Sequence, residues 1–178
     1  ILDSVELLLT PAIRIESLYL KPDWQSGVIE AEVNVRNTGK AARGTLTLSV
    51  APAAGGETLD LSASTVDLNA GDTLLKARVR VRDHQLWTIE HPTLYRVTAQ
   101  VRPEGSESLD EQSAKCGFRD FRFADGYFRL NGKRIFLKSA HFGGDSPMTG
   151  IAPFNPGMLR TDFLSMKLMG FNMARCIS

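Results

Sequence analysis

The segment from residue 29 to residue 36 alternates regularly between apolar and polar side chains. A period of two residues is typical of a β-strand that buries one of its faces. The same alternation recurs along the first two thirds of the chain, and the stretches are separated by glycine, proline or asparagine turn signals. The pattern predicts strands in the segments 13–20, 29–36, 46–50, 59–68, 73–82 and 94–102.

Short strands at this spacing, with no helix-period segment between them, predict an immunoglobulin-like antiparallel β-sandwich over residues 8–117. Such a seven-strand domain takes about 100 residues. The positions that we expect in its core are Ile29, Val33, Val79, Val97 and Trp87.

The stretch QLWTIEHPTLYRV (85–97) carries the most specific signal in the predicted sandwich. Trp87 lies in a crossing between two strands, and Tyr95 opens the next strand. We interpret Trp87 as a residue that caps the core and Tyr95 as a tyrosine corner whose hydroxyl bonds to nearby backbone. A tryptophan that stacks on a carbohydrate ring is the functional alternative for Trp87.

The pattern changes after residue 118. Asp125-Gly126 and Asn131-Gly132 are strong signals for two-residue hairpin turns between short apolar strands. Asn155-Pro156 then predicts the start of a helix, and Gly170 predicts its end. A strand is expected from Phe171 to Ile177, so the order strand, loop, helix, strand predicts a βαβ unit with a parallel sheet. The helix would present one apolar face formed by Leu159, Phe163, Met166 and Met169.

Charge and hydropathy exclude several classes of partner. The formal net charge is +1, which points to no polyanionic ligand. Residues 76–82 contain a basic run in which the cations alternate with apolar residues. This alternation favours a solvated sheet face over a nucleic-acid-binding surface. No apolar run approaches the ~18–20 residues of a membrane span. We therefore expect neither a nucleic-acid partner nor a membrane partner.

The cysteines and histidines show no metal-ligand spacing. Cys116 and Cys176 are far apart in the sequence, and His84, His91 and His141 are scattered. We expect free, buried thiols, no metal and no cofactor. The redox compartment and the cellular location stay open.

Several segments, in order, resemble motifs of one enzyme family. Residues 116–119 (CGFR) resemble "fGFR", residues 128–138 resemble "F-x-lNGk-x-i-x-lkG", and residues 162–175 resemble "D-x-x-x-mK-x-x-gfN-x-x-R". Residues 86–95 resemble "lWspenPxLY", and residues 1–7 resemble "GIwxxVxL". These are motifs of glycoside hydrolase family 2, which includes β-galactosidases, β-mannosidases and β-glucuronidases.

The resemblance implies a piece of a larger enzyme that is cut at both ends. Residues 1–7 would end a preceding sugar-binding domain, 8–117 would form the sandwich, and 118–178 would form the floor hairpin and first βαβ of a truncated (β/α)₈ barrel. The parent would be a retaining exo-glycosidase, most like β-galactosidases, that acts on a terminal β-linked sugar. Its two catalytic glutamates would lie beyond this chain. The chain alone would then contain no catalytic residue, and the late acids of the sandwich, including Asp110, are expected on solvated turns or edges.

The same resemblance suggests where substrate would be contacted. His141 to Asp145 would follow the first barrel strand, and Arg175 would end the second, where barrel active sites lie. The family's Asn-x-His-Glu run is replaced here by His141-Phe142-Gly143-Gly144. The candidate substrate-binding residues are therefore Arg175, His141 and Asp145, with a structural role as the alternative for both Arg175 and His141.

Two further expectations concern the chain as a whole. The alternative to an enzyme fragment is a non-enzymatic immunoglobulin-like binding or adhesion module. In either case the uncovered apolar positions of the tail are expected to self-associate or to pack against the sandwich.

Overall fold

The computed structural model describes residue 7, residues 9–142 and residues 156–176. The chain divides into two compact units, Ile1–Arg119 and Asp120–Ser178. Residues 1–6, which the resemblance assigns to a preceding domain, lie outside the described residues, as do Asn155 and Ile177.

The first unit is a two-sheet antiparallel β-sandwich, as the alternating pattern predicts. One sheet has three strands in the order β1-β2-β5, and the other has four in the order β4-β3-β6-β7. The strands are β1 (Ile13–Pro22), β2 (Val28–Asn37), β3 (Ala42–Pro52), β4 (Asp60–Leu68), β5 (Gly71–Arg80), β6 (Tyr95–Pro103) and β7 (Asp110–Cys116).

The core of this unit lies between the inward faces of the two sheets. Ile29, Val33, Val79 and Val97 are all buried, which confirms their prediction. Trp87 is only half-buried and lies outside the buried core, so its prediction as a core residue is wrong. It belongs to the irregular segment between β5 and β6, outside the two sheets that enclose the core.

A β-bulge explains an irregularity in the first strand. The apolar residues Ile13 and Ile15 have odd numbers, whereas Leu18 and Leu20 have even numbers. The pairing of β1 with β2 shifts register between Ile15 and Ser17. A bulge adds one residue to the strand, so all four side chains contact the same core despite the break in period.

The last sandwich strand is one that the hydrophobic pattern does not predict. β7 has the sequence DEQSAKC and pairs along one side with β6. It is one of the two edge strands of its sheet, so few of its side chains need to be apolar. The unit then continues to Arg119, because Phe118 is fully buried in its core.

The second unit begins with a three-stranded antiparallel sheet formed by β8 (Phe121–Ala124), β9 (Tyr127–Leu130) and β10 (Lys133–Arg134). Both predicted hairpin turns are confirmed. Asp125 and Gly126 have φ of 52° and 77°, and Asn131 and Gly132 have φ of 51° and 78°. Positive φ at both central residues is the signature of the type I′ turn, which asparagine, aspartate and glycine tolerate best.

The second unit ends with a βαβ arrangement: β11 (Ser139–Phe142), α1 (Pro156–Leu168) and β12 (Met173–Cys176). β11 and β12 pair in parallel, as the sequence predicts. The end of the helix is a Schellman motif, since Phe171 N–H donates to Met166 C=O (3.1 Å) and Gly170 N–H to Lys167 C=O (3.0 Å). Gly170 has φ 85°, which is the left-handed conformation that this motif requires.

Candidate functional site

The parallel pair β11–β12 brings two of the three candidate residues together. Its register pairs Ser139 with Met173, and therefore His141 with Arg175 two residues further on. Paired residues of neighbouring strands project to the same face, and the strands lie ~4.8 Å apart. Both side chains are exposed. The structure thus places an imidazole beside a guanidinium at the carboxyl end of a parallel pair.

One detail of the sequence prediction needs correction. His141 was expected in the loop after the strand, but it is the third residue of β11 and forms part of the ladder. Strand pairing with Met173–Cys176 continues through this position, whereas the sequence around Ala140 has little apolar alternation to indicate it. The third candidate, Asp145, lies outside the described residues.

The asparagine that precedes β12 bonds to the segment that precedes β11. Asn172 Oδ1 accepts a 2.8 Å hydrogen bond from Lys138 N–H, and its Nδ2 donates to Phe136 C=O at 2.9 Å. Its own backbone N–H donates to Lys138 C=O at 3.0 Å. Among the sequence-based candidates Asn172 is absent, although its position in the "gfN" motif was an available signal.

The described acids of the second unit form no catalytic pair. Asp120 and Asp125 pair with Arg122 (3.1 Å) and Arg129 (3.3 Å) at the hairpins, and Asp162 lies exposed on α1. A retaining glycosidase needs two carboxyl groups ~5–5.5 Å apart on either side of the bond that is cleaved. The candidate residues near the carboxyl ends of β11 and β12 are instead His141 and Arg175, whose side chains can donate hydrogen bonds.

The conspicuous 85–97 segment performs a structural task in the sandwich. Gln85 N–H donates a 2.9 Å hydrogen bond to the Tyr95 hydroxyl, which confirms the tyrosine corner. The backbone N–H of Trp87 donates a 2.8 Å hydrogen bond to Phe118 C=O. The Arg119 guanidinium lies over the Trp87 ring, 5.0 Å from its centroid. Since Arg119 covers one face of the indole, these contacts support the structural interpretation of Trp87.

Phe118 is the centre of the same cluster. Its ring contacts His84 (centroids 4.6 Å apart) and Tyr95 (5.2 Å). His84 Nε2 in turn lies within hydrogen-bond distance of Trp24 C=O, at 2.8 Å. This histidine therefore has a structural role in the sandwich. The "GFR" motif is therefore the segment that closes the core of the first unit.

The basic run on β5 is a solvated sheet face, as predicted. Lys76 pairs with Glu32 across the sheet at 3.5 Å, and Arg78 pairs with Glu30. Lys21 also donates a 2.7 Å hydrogen bond to Glu32, which holds the pKa of that carboxyl below its ordinary value. These cations are matched by carboxylates of the neighbouring strand.

Cys116 is a half-buried free thiol, and burial raises its pKa to about 11. The side chain of Cys176 lies outside the described residues. Among the side chains that the structure describes, no group of three histidine, cysteine or acidic residues is placed to hold a metal ion. In the part of the chain that the structure describes, no helix combines the length and apolar character needed to cross a membrane.

The structure thus defines an immunoglobulin-like sandwich followed in the chain by a βαβ unit with a basic pair at the carboxyl end of its strands. Residues 13–119 match the sequence model of the family described as Glycosyl hydrolases family 2. The chain belongs to this family of glycoside hydrolases, which confirms the resemblance of its motifs.

Individual relatives support the assignment. The chain is 31% identical over 98 residues to a β-galactosidase of Yersinia pestis, a match that covers 55% of this chain and 9% of that enzyme. A Bacteroides uniformis β-glucuronidase is similar in structure with a TM-score of 0.80 and 29% identity, over 94% of this chain and 21% of the other. A family 2 member from Bacteroides cellulosilyticus has a TM-score of 0.82 at 23% identity, over 94% of this chain and 22% of the other, and therefore shows the fold alone. The chain spans only about a tenth to a fifth of the length of these relatives.

Proposed function

We propose that this chain is the sandwich and the first βαβ of the catalytic barrel in a longer, retaining exo-glycosidase that releases a terminal β-linked sugar. The observation that carries the proposal is the parallel pairing of His141 with Arg175 in a member of family 2. In α/β barrels the carboxyl ends of the parallel strands form the active-site face. These two residues would therefore line the sugar pocket.

The proposed role of the chain is scaffolding and substrate contact. Arg175 offers five fixed N–H donors, which suit sugar hydroxyls or a carboxylate. His141 would contact a sugar hydroxyl beside it. By the family resemblance, the acid/base group and the nucleophile would come from carboxylates outside this chain. Asp120 and Asp125 pair with Arg122 and Arg129 at the hairpins. Asp145 stays a candidate substrate contact on the resemblance alone.

We favour a β-galactoside as substrate, on the similarity to the Yersinia pestis β-galactosidase. A β-glucuronide is the second candidate, because the β-glucuronidase of Bacteroides uniformis is similar over 94% of this chain. The guanidinium of Arg175 is compatible with both substrates, since it binds hydroxyl groups as well as the carboxylate of a uronic acid.

The test is hydrolysis by the longer protein that contains this chain. We expect it to release nitrophenol from nitrophenyl β-D-galactoside, with retention of configuration at the anomeric carbon observed by NMR. Faster turnover of the β-glucuronide would identify the second candidate. Failure to hydrolyse any nitrophenyl β-glycoside would refute the proposal. The 178-residue chain alone should be inactive, and turnover that follows the pure chain would remove its assignment as a non-catalytic part.

The non-enzymatic alternative has a different signature. An adhesion module needs no helix that ends in a Schellman motif and leads into a strand parallel to β11. A longer protein without glycosidase activity that still binds an oligosaccharide through the sandwich would favour this alternative.

A further inference from the structure

Asn172 makes more backbone contacts than its position in a connecting segment requires. Both ends of its side-chain amide and its own N–H bond to backbone groups of residues 136–138, at 2.8–3.0 Å. Phe136 and Lys138 directly precede β11, which begins at Ser139. One side chain thus supplies the acceptor and the donor that a neighbouring strand would otherwise supply.

These bonds lie at the point where the pairing of β12 with β11 begins. Asn172 lies beside Lys138, and the ladder continues from this point with Ser139 beside Met173 and ends with His141 beside Arg175. A slip of one residue would shift Arg175 by ~3.3 Å along the strand and reverse its face. A pair of four-residue strands has few ladder bonds of its own to oppose such a slip.

We infer that Asn172 is a positioning residue: its amide holds the register that places Arg175 beside His141 at the substrate pocket. This inference rests on the proposed function for its catalytic consequence, but the register itself is a property of the chain. Asparagine suits the position because Oδ1 must accept from Lys138 while Nδ2 donates to Phe136. An aspartate would keep the first bond and set a carboxylate oxygen against the Phe136 carbonyl.

The kinetic test uses the longer protein with nitrophenyl β-D-galactoside. Asn172→Ala should lower kcat/KM about 10-fold or more, mainly through kcat, because a misplaced guanidinium loses contacts made in the transition state. Asn172→Asp, which replaces the donor to Phe136 C=O with a repelling carboxylate oxygen, should also lower kcat/KM. Unchanged kcat/KM in both variants would overturn the inference.

A double-mutant cycle separates positioning from general stabilisation. If Asn172 acts through Arg175, Asn172→Ala should add little further loss of kcat to an Arg175→Ala background. Losses that simply multiply would show that Asn172 acts independently of Arg175 and would reject the inference. Asn131→Gly is the matched control: it removes the 3.0 Å bond from Asp120 N–H to Asn131 Oδ1 in a turn whose φ glycine tolerates, so kcat should be retained.

A structural measurement keeps the inference separate from the proposed function. If the longer protein has no glycosidase activity, the proposed function fails, while the register can still be examined. Crystal structures of the chain and of its Asn172→Ala and Asn172→Asp variants should show Arg175 displaced from His141. An unchanged pairing of His141 with Arg175 in both variants would overturn the inference whatever the activity.

Discussion

The carboxylate of Asp110 accepts a 2.7 Å hydrogen bond from the backbone N–H of Ile15, which lies 95 residues earlier in the chain. Asp110 is the first residue of β7, an edge strand of the four-stranded sheet, and Ile15 lies at the bulge of β1, an edge strand of the other sheet. The edge strands on the opposite side are joined in the same way. The carboxylate of Asp60, at the start of β4, accepts a 2.7 Å hydrogen bond from the backbone N–H of Arg80 in β5. An aspartate therefore joins the two sheets at each side of the sandwich. The sequence predicts Asp110 on a solvated turn or edge and does not indicate that its carboxylate bonds to Ile15.

The first prediction concerns this connection. Asp110→Ala should lower the free energy of unfolding by about 1.5–3 kcal/mol, because a hydrogen bond to a charged acceptor is lost and the Ile15 N–H is left without it. Urea unfolding of the chain would measure the change. Glu107→Ala, in the exposed loop before β7, is the matched control and should have little effect. Equal stability of both variants would contradict the role given to Asp110.

The second prediction tests the sandwich core. Val33 is fully buried on β2, so Val33→Ala should cost about 1.5–3 kcal/mol of unfolding free energy. Leu74 lies on neighbouring β5 with its side chain 58% exposed, and Leu74→Ala should change stability by less than about 0.5 kcal/mol. Chemical denaturation of both variants provides the comparison. Similar losses would mean that the two faces of this sheet are not distinguished by burial.

The third prediction concerns Arg175 in the longer glycosidase that we propose. If its guanidinium binds the sugar or orients a catalytic carboxylate, Arg175→Ala should lower kcat/KM by about 100-fold, or about 2.7 kcal/mol, with little change in melting temperature. Arg160→Ala, at an exposed position of α1, serves as the control and should retain activity. Normal kinetics with a lowered melting temperature would instead assign Arg175 a structural role.

The fourth prediction follows from the raised pKa of Cys116, which burial moves from 9.0 to about 11. At pH 8 the folded thiol should carry about 100-fold less thiolate than an exposed one, and a disulfide reagent should modify it correspondingly slowly. Because the neutral form is favoured in the folded state, its contribution to stability is complete below about pH 9 and is lost as the pH rises through about 11.

Reagent kinetics in a Cys176→Ser background would isolate this thiol. We expect slow modification at pH 8 and a steep increase towards pH 11. A rate at pH 8 equal to that of the urea-unfolded chain would show that Cys116 is not protected by the fold.

The fifth prediction concerns the 178-residue chain studied by itself. The side chains of Leu168 and Met169 at the end of α1 are 89% and 67% exposed, and Phe163 is 39% exposed. Apolar groups left in water favour association. Light scattering should therefore detect dimers or larger species, and Leu168→Lys with Met169→Lys should shift the population towards monomers. A strict monomer at high concentration for the unmodified chain would contradict the prediction.

Some features of this protein are determined by its sequence alone, because they depend on interactions between residues close together in the chain. Alternating side chains predict the strands, Asp125-Gly126 and Asn131-Gly132 predict type I′ turns, and Gly170 predicts the end of the helix. Each of these follows from backbone sterics and from which face a nearby side chain occupies. The family motifs are also local, so the family could be recognised before any contact between strands was known.

Other features were decided by the tertiary structure, because their partners are far away in the sequence. Asp110 bonds to Ile15 at a separation of 95 residues, and Asn172 bonds to Phe136 at a separation of 36. The pattern of apolar and polar residues does not show that the bulge in β1 leaves the N–H of Ile15 to bond with Asp110. It also does not show that the carbonyl of Phe136 lies beside Asn172 once β11 and β12 have paired. The pairing of His141 with Arg175 is of this kind: its register depends on bonds across a helical crossover, and a shift of one residue would have placed the same sequence on the other face.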